Sequence, residues 1–390
     1  MRRSLKPEVI RIASSVAALL LALPIGLKGV TGLFIWTSPF IMLNSVIILK
    51  SFVLLNIIGI TVLIVTIFKS RFFCRYMCPT GLCCDKISDI SRMKSRKLKK
   101  MPPAGKWLAI ISLTAAFTGI PLFIMLDPLS IFQSFFSIFT ADISIVSVLS
   151  FSGFPVLMAL NYFLPDIWCT RICPLGGLQD IITDIRKRIY RLISRMTHEH
   201  NSYSPARRYF LASGVGLVTG FSISKLIRPA PSKYFRPPGS VEPVVFNTLC
   251  IRCGNCIKSC PTKIISQHTD SMDLISWMTP EVKFVDGYCL ETCNICSTVC
   301  PTGSITLFSP GAKNRIFMGS AEVIFDKCLL SKNRECDRCR SACKYSAVNI
   351  EPSDRPLMMT PVIDRIKCVG CGACSVICPT DAINMIPPGY

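Results

Sequence analysis

Sixteen of the 22 cysteines fall into four groups near the end of the chain. In "CIRCGNCIKSCP" at 250–261, two, two and three residues separate the successive cysteines, and "CVGCGACSVICP" at 368–379 repeats this spacing. The groups, called combs one to four, are Cys250, Cys253, Cys256 and Cys260; Cys289, Cys293, Cys296 and Cys300; Cys328, Cys336, Cys339 and Cys343; and Cys368, Cys371, Cys374 and Cys378. Three closely spaced thiolates followed by Cys-Pro are the ligand pattern of bacterial [4Fe–4S] ferredoxins. The combs therefore predict four such clusters, which move single electrons.

The spacing leaves the partners of the combs open. In two-cluster ferredoxins the fourth cysteine of one comb ligates the neighbouring cluster. The combs can therefore pair in order, one with two and three with four, or nest, one with four and two with three. Combs two and three have wider first gaps, and comb three has Lys344 where the others have proline. Zinc ribbons use separated CxxC pairs and disulfide scaffolds are short and secreted, so neither explains the combs.

Short repeated patterns flank the combs and predict a fold. An apolar residue follows each last cysteine by five positions, where it would shield a cluster from water. These residues are Ile265, Ile305, Val348 and Ile383. The stretches "VKFVD", "EVIFD" and "TPVID" precede combs two, three and four, and their composition is typical of β-strands. We therefore predict an α+β bacterial polyferredoxin domain over residues 241–390.

The first 228 residues are apolar and basic, with 27 of the 44 Lys+Arg but 9 of the 23 Asp+Glu. Four apolar stretches, at 9–27, 51–68, 106–126 and 144–164, approach the roughly 17–25 residues of a membrane-spanning helix. Lys and Arg flank them in alternation, so the N-terminus, 69–105 and the stretch after 165 are predicted to be cytoplasmic. This pattern favours an α-helical transmembrane bundle of four spans over a nucleic-acid-binding protein.

Two apolar segments allow other interpretations. The first stretch has the charged start of a cleaved signal peptide, although no small-residue cleavage site follows it. The stretch 30–49 is interrupted by Thr37-Ser38-Pro39 and is predicted to be interfacial or re-entrant, since both neighbouring stretches are assigned as spans.

Two shorter motifs lie at the predicted inner ends of the second and fourth spans. "CRYMCPTGLCC" contains Cys74 and Cys78, and "WCTRICPLGGL" contains Cys169 and Cys173, in a shared Cys-x-x-x-Cys-Pro pattern. If the motifs converge, their four thiolates suit a further iron–sulfur cluster or a zinc ion. The alternative is packing of small, buried cysteines at helix ends. Cys83 and Cys84 have no matching pair, which favours a structural role.

A site for quinol is expected in the bundle, with Asp127 and Trp36 as weak candidates. Asp127, in "LDPLSIF" at the predicted outer end of the third span, is an ionisable group at membrane depth, but a helix-capping aspartate fits equally. Trp36 fits an interfacial anchor as well. No histidine lies inside a predicted span and no CxxCH is present, so haem b held by two histidines and covalent haem c are excluded.

The segment 201–240 joins the two parts. Arg207-Arg208-Tyr209-Phe210-Leu211 and the weakly apolar run after it are typical of a twin-arginine export signal or anchor helix. Arginines flanking a span are the alternative. Export would place a ferredoxin domain that has already folded around its clusters on the periplasmic side, and the prolines that follow predict a stiff linker. The predicted domains are therefore 1–200, 201–240 and 241–390.

These motifs resemble two known families joined in one chain. Residues 1–200 resemble the ferredoxin-type membrane quinol dehydrogenases of periplasmic nitrate reductase systems (NapH type), through the Cys-x-x-x-Cys-Pro motifs at 74–79 and 169–174 and "DPL" at 127–129. Residues 205–390 resemble the exported four-cluster ferredoxins of nitrate reductase and methylamine utilisation systems (NapG/MauM type), through "RRYFL", "FRPPGSVEP" and "CIRCGNCIKSCP". The resemblance implies quinol oxidation and electron relay to a periplasmic acceptor. The fusion and the missing proline after Cys343 depart from the families.

Three functional hypotheses follow. The leading one is a multi-pass protein of the bacterial inner membrane with a periplasmic ferredoxin domain. It takes electrons from the quinone pool of a respiratory chain and passes them to a redox partner such as a cytochrome c or a reductase. The second is a ferredoxin–quinone reductase with its clusters facing the cytoplasm. The third is a redox-sensing or metal-site assembly factor without turnover.

Overall fold

The computed structural model describes residues 5–23, 32–91, 102–139, 145–193, 205–226, 234–270, 273, 275–353 and 358–389. The chain divides into two compact units. The helical unit comprises Met1–Arg228 and Asn247–Cys253, and the ferredoxin unit comprises Pro229–Phe246 and Gly254–Tyr390. Residues 24–31, 92–101 and 194–204 lie outside the described residues. They include the end of the first predicted span and parts of the predicted cytoplasmic stretches 69–105 and after 165.

The helical unit is built from α-helices joined by short turns. They are α1 (Leu5–Ala22), α2 (Pro39–Leu49), α3 (Asn56–Phe68), α4 (Phe72–Tyr76), α5 (Pro79–Ile90), α6 (Ala104–Ala116), α7 (Pro128–Phe135), α8 (Ile145–Phe163), α9 (Pro174–Ile193) and α10 (Pro205–Leu226). A π-helical turn, Trp168–Ile172, precedes α9. α11 (Pro243–Leu249) follows further along the chain.

The prediction of a four-span bundle is not supported. Within the described residues, one helical stretch, Arg208–Leu226, is long and apolar enough to cross a membrane, and its mean hydropathy is 1.2. The other apolar helical stretches are shorter, at Pro39–Leu49, Asn56–Phe68, Ala104–Ala116 and Phe151–Phe163. At 1.5 Å per residue, a 13-residue helix extends about 20 Å, against about 30 Å of hydrocarbon. The second and third predicted stretches, 51–68 and 106–126, are longer than α3 and α6 because they continue into apolar residues outside those helices.

The third predicted span shows this most clearly. α6 ends at Ala116, and the chain reverses through Gly119, which has φ = 88°. The returning segment ends at Asp127, and the carbonyl of the next residue, Pro128, accepts a hydrogen bond from Thr80 Oγ1 at 2.7 Å. Asp127 was placed at the far end of a span. It lies instead close to Cys78, two residues before Thr80.

Glycines allow α6 to contact both of its main neighbours. A Cβ on Gly177 of α9 would lie 2.2 Å from the carbonyl of Gly105 in α6. In α10, Gly216 and Gly220 form a GxxxG pattern, and a Cβ on Gly216 would lie 2.7 Å from the backbone oxygen of Ile111 in α6. Such small-residue faces are typical of helices that pack within membranes. The segment predicted as a twin-arginine helix is therefore packed against α6.

The ferredoxin unit is α+β, as predicted. Its strands are β1 (Ile265–Gln267), β2 (Pro280–Val282), β3 (Ser320–Val323), β4 (Val348–Pro352), β5 (Met359–Ile363) and β6 (Ile383–Ile386). They form three antiparallel pairs, β1–β2, β3–β6 and β4–β5. The short helices α12 (Asn255–Ser259), α13 (Ile295–Thr298), α14 (Arg338–Ala342) and α15 (Ala373–Val376) each carry comb cysteines or adjoin them. β5 covers the first four residues of "TPVID", whereas β3 covers only the first two of "EVIFD" and β2 only the first of "VKFVD".

Strand pairing divides the ferredoxin unit into two similar halves. In the second half, β4 after comb three pairs with β5 before comb four, and β3 before comb three pairs with β6 after comb four. The first half repeats this, with the β1–β2 pair and a single antiparallel bridge between Ser240 and Ile305. The four apolar residues predicted to shield clusters are all buried, with 2–5% of their surface exposed.

The close contact between α6 and α10 generates a stability prediction. We expect Gly216→Ala to lower the unfolding temperature in detergent, because overpacking against Ile111 costs about 1–3 kcal/mol. Gly214→Ala on the same helix is the matched control. No atom lies within 4 Å of a Cβ at Gly214, so alanine there should be neutral or stabilising by up to about 1 kcal/mol. Equal unfolding temperatures for the two variants would contradict the packing.

Candidate metal centres

The second half of the ferredoxin unit contains two sets of four cysteines, each drawn from both of its combs. One cavity is lined by Cys368, Cys371 and Cys374 of comb four together with Cys343 of comb three. A second cavity is lined by Cys328, Cys336 and Cys339 of comb three together with Cys378 of comb four. This is the exchange of fourth cysteines that the ferredoxin pattern predicts.

The first half follows the same rule. Combs one and two share a buried core that includes Cys256, Cys260, Cys289, Cys296 and Cys300. Cys296 interacts electrostatically with Cys289 and Cys293 of its own comb and with Cys260 of comb one. Combs three and four share a separate core. The pairing left open by the sequence is therefore one with two and three with four.

Backbone amides stabilise the last cysteine of three combs. Cys343 Sγ accepts a hydrogen bond from the Ala347 amide at 3.3 Å, and Cys378 Sγ accepts one from the Ala382 amide at the same distance. Cys300 Sγ accepts one from the Ile305 amide at 3.4 Å. Donors to a sulfur favour its thiolate form. Because Cys343 keeps this bond, Lys344 in place of proline leaves the local geometry unchanged.

The two halves of the ferredoxin unit meet at combs two and four. The Cys289 amide donates a hydrogen bond to the Cys371 carbonyl at 2.9 Å. Beside them lies Tyr345, whose pKa is raised by burial and by the charges of Cys371 and Cys289. The ligand sets that contain these cysteines are therefore neighbours.

Cys74, Cys78, Cys169 and Cys173 converge in the helical unit, as the motif analysis anticipated. All four line one cavity of about 220 Å³, which also includes Arg11 and Arg71. Burial raises the pKa of Cys74 to about 12 and those of Cys78 and Cys173 well above the usual range. These cysteines become thiolates only when a positive charge, such as that of bound metal, compensates.

The two motifs build matching helix starts. Cys78 is the N-cap of α5 and its Sγ accepts from the Gly81 amide at 3.3 Å. Cys173 precedes α9 and its Sγ accepts from the Gly176 amide at 3.4 Å. Proline follows each cysteine as the first helical residue, where its missing N–H is harmless. Each helix therefore directs the positive end of its dipole at a sulfur.

A partly buried arginine–aspartate pair accompanies each helix start. Asp85 and Asp180 each lie seven residues after the capping cysteine. Arg11 Nη1 donates to Asp85 Oδ2 at 2.7 Å, and Arg71 donates to both oxygens of Asp180 at 2.6 Å. Each guanidinium also interacts electrostatically with cavity cysteines. The pairs hold a guanidinium at the cavity wall, and an aspartate compensates the charge of each.

The remaining two cysteines each contact a side chain from the other motif. Gln179 Nε2 donates to Cys74 Sγ at 3.3 Å. Cys84 occupies in the first motif the position that Gln179 occupies in the second. It is fully buried and hydrogen-bonds with Cys169. Cys84, interpreted from the sequence as structural, therefore adjoins a candidate ligand, whereas Cys83 does not line the cavity.

The cavity suits a cluster better than a single ion. Within the described ranges, no group of three or more His, Cys, Asp or Glu side chains is placed to hold one metal ion. Four sulfurs around one zinc ion at about 2.3 Å lie within roughly 4 Å of one another. A cubane binds each thiolate to a different iron, so its ligands lie farther apart than those of one zinc ion, and a cavity of about 220 Å³ allows this.

The weak quinol candidates are linked through Ser38. Asp127 is fully buried and caps α7, and its carboxylate accepts hydrogen bonds from Ser38 Oγ at 2.6 Å and from the Leu129 amide at 2.9 Å. Ser38 lies two residues after Trp36, which is also buried. Burial raises the pKa of Asp127 to about 6. The capping role is thus present, and the carboxyl can also exchange a proton near neutral pH.

Sequence reasoning missed several residues around these centres. Lys313, which contacts comb two, gives no local signal because it lies 13 residues after the last cysteine of that comb. In the sequence, Arg71 contributes only to the positive charge that flanks a predicted span, and Arg11, which lies inside the first predicted span, gives no signal of its own. The aspartates at matching positions after Cys78 and Cys173 are a signal that could have identified the arginine pairs.

The sites and fold define an iron–sulfur electron-transfer protein, and comparisons with known proteins identify its family. The 4Fe-4S dicluster domain matches residues 249–304 and 332–382, and a 4Fe-4S binding domain matches 52–97 and 146–192. The ferredoxin-type protein MauM of methylamine utilisation from Paracoccus denitrificans is 30% identical over 188 residues, covering 45% of this chain and 83% of that protein.

Two further relatives are also ferredoxin-type proteins. The ferredoxin-type protein NapF of Escherichia coli K12 is 32% identical, covering 39% of this chain and 85% of that protein. NapG of Haemophilus influenzae is 26% identical, covering 50% and 77%. No solved structure matches the chain. The chain belongs to the family of ferredoxin-type proteins with [4Fe–4S] domains, as the resemblance of its C-terminal part implied.

The exchange of cysteines can be tested by iron content. Cys378→Ser and Cys328→Ser should each remove about four iron atoms, and the double variant should lose no more, because both residues belong to one ligand set. Cys378→Ser combined with Cys368→Ser should lose about eight. Iron and acid-labile sulfide in the purified chain give the readout. The reverse pattern would show that each comb binds its own cluster.

A second iron measurement tests the cavity in the helical unit. Cys74→Ser should reduce the iron content by about four atoms, because it removes one of four converging ligands. Cys83→Ser, on the next helix but outside the cavity, is the control and should retain all iron. Zinc in place of iron, or full iron content in Cys74→Ser, would refute a cluster at this site.

Proposed function

We propose that this protein oxidises quinol at the membrane and relays the electrons through [4Fe–4S] clusters to a periplasmic redox protein. One observation carries the proposal: a single chain contains two kinds of candidate centre. One is a cavity lined by four cysteines among apolar helices, and the other is a ferredoxin unit whose combs exchange their fourth cysteines. Membrane attachment is supported by Arg208–Leu226 and by the shorter apolar helices around it.

The proposal assigns five clusters. Four are assigned to the combs, and the ligands expected from the exchange of fourth cysteines are Cys250, Cys253, Cys256 and Cys300; Cys289, Cys293, Cys296 and Cys260; Cys328, Cys336, Cys339 and Cys378; and Cys368, Cys371, Cys374 and Cys343. The fifth is held by Cys74, Cys78, Cys169 and Cys173. Bound clusters supply one-electron carriers. The protein's own residues provide the thiolates, exclude water with the buried apolar residues, and hold compensating charge.

The order of the relay differs from the order of the sequence. Comb one shares a core with comb two, comb two contacts comb four through Cys289 and Cys371, and comb four shares a core with comb three. The proposed sequence of carriers is therefore one, two, four and three. Comb three, at one end, lies in a loop with several exposed basic side chains, including Lys332, Arg334 and Arg338.

Asp127 is the group we assign to proton transfer. Quinol oxidation releases two electrons and two protons, so a base must lie near the electron acceptor. Asp127 adjoins Pro128, which lines the cavity of the four cysteines. Its pKa of about 6 lets it accept a proton at neutral pH. Ser38 orients the carboxylate, and Trp36 precedes this contact in the chain.

The test uses membranes that contain the full chain. Addition of a reduced quinol analogue should reduce the clusters at a rate that falls as the pH drops below about 6, because protonated Asp127 is no base. Asp127→Asn keeps the capping oxygen and should slow this reduction by at least about 100-fold. Reduction by dithionite is the control and should be unaffected. An unchanged rate in the variant would remove Asp127 from the site.

Two further results would reject the wider proposal. The first is the absence of any cluster reduction by quinol in wild-type membranes. The second concerns location: a reporter fused after Tyr390 should be active in the periplasm, and activity in the cytoplasm would favour electron flow between a cytoplasmic donor and quinone.

A further inference from the structure

Lys313 is a buried cation in direct contact with comb two. Only 2% of its surface is exposed, and it lies in the 3-10 helix Pro310–Arg315. Its Nζ donates hydrogen bonds to Cys289 Sγ at 3.0 Å and to the Cys293 carbonyl at 2.7 Å, and also to the Leu290 carbonyl. A gap of three residues between Cys289 and Cys293 distinguishes comb two from combs one and four. The three acceptors belong to these two cysteines and to Leu290 within the gap.

A buried ammonium group requires a compensating negative charge. Removing it from water costs several kcal/mol when the charge is unpaired. Two of the acceptors are neutral carbonyl oxygens, and the third is the sulfur of Cys289. A cluster bound by four thiolates is negatively charged overall and gains one further negative charge when reduced. The ligand set of Cys289, Cys293, Cys296 and Cys260 therefore supplies the charge that Lys313 needs.

The interaction must differ between the two redox states. A positive charge held at a ligand sulfur attracts the reduced cluster more strongly than the oxidised one, and low-dielectric surroundings strengthen the difference. Hydrogen bonds to the sulfurs and nearby charge are recognised determinants of cluster potential. The effect of Lys313 is therefore to favour reduction.

We propose that Lys313 raises the reduction potential of the cluster bound by Cys289, Cys293, Cys296 and Cys260, so that the electron resides preferentially at this second position of the relay. The proposal builds on the electron-relay function above but does not depend on quinol as the donor. Lys313 is a positioning residue in this scheme, since it acts through Cys289. The other three clusters are assigned Cys300, Cys343 or Cys378 as a ligand, and each of these sulfurs accepts a hydrogen bond from a backbone amide. The fixed charge of Lys313 therefore gives this cluster a different role.

The charge is separable from the hydrogen bonds by substitution. Lys313→Gln keeps donors for the loop but removes the charge, whereas Lys313→Arg retains the charge. Arg315→Gln is the matched control, because Arg315 lies in the same short helix, carries the same charge and is exposed. Screening by water should make the charge of Arg315 nearly irrelevant.

The experiment is an EPR-monitored redox titration of the purified full chain with its clusters. In Lys313→Gln, the equilibrium constant for reducing one cluster should fall at least about tenfold, which is a shift of about 59 mV for one electron. The other midpoints should remain in place. Lys313→Arg should restore the potential towards that of wild type, and Arg315→Gln should leave every midpoint unchanged. Unshifted potentials in Lys313→Gln with full iron content would overturn the proposal, as would an equal shift in Arg315→Gln.

A measurement on the wild-type protein covers the case in which Lys313→Gln loses its cluster. Protein grown with lysine that carries ¹⁵N only at Nζ should show a ¹⁵N hyperfine coupling in the cluster signal with the highest midpoint potential in the ferredoxin unit. Absence of lysine coupling from all cluster signals, or its presence on a low-potential cluster, would overturn the proposal. Neither measurement uses quinol, so this outcome is independent of the test of Asp127.

Discussion

The constraint on which the structure depends is the burial of negative charge. A cluster with four thiolates carries that charge into surroundings where water is largely excluded, and unpaired charge there is costly. The protein compensates this charge with hydrogen-bond donors and positive charges at fixed positions. They are backbone amides at Cys300, Cys343 and Cys378, helix N-termini at Cys78 and Cys173, and an ammonium group at Cys289. The fold can be understood as the scaffold that holds these donors.

Both units meet this constraint with paired motifs: two combs in the ferredoxin unit, and the two Cys-x-x-x-Cys-Pro motifs in the helical unit. In the ferredoxin unit, each described ligand set of combs three and four is completed by a cysteine from the other comb. In the helical unit, Gln179 of one motif contacts Cys74 of the other, and Cys84 contacts Cys169 in the reverse direction. No single comb and neither Cys-x-x-x-Cys-Pro motif can complete a candidate centre alone. Repeated motifs therefore reflect a physical requirement as well as duplication.

The parts that could be predicted from sequence are those governed by short spacing. Cysteine separations determined the ligand groups, and residues five positions later, such as Ile305, proved to be buried in the core. Hydropathy failed where local backbone geometry intervened, because Gly119 reverses the chain within a stretch that is apolar throughout. Lys313 and Arg11 could not be predicted, since their acceptors lie 20 or more residues away and depend on the complete fold.

Strand pairing explains why the order of the proposed relay differs from the order of the sequence. β3 precedes comb three and pairs with β6 after comb four, so each half of the ferredoxin unit closes on itself and brings its first and last segments together. Nested pairing of comb one with comb four would require these closures to be broken. What joins the halves is the contact between Cys289 and Cys371, which makes the inner neighbours combs two and four. In the proposed relay, Lys313 thus lies at an inner position, where the potential difference we propose would control the passage of each electron from one half to the other.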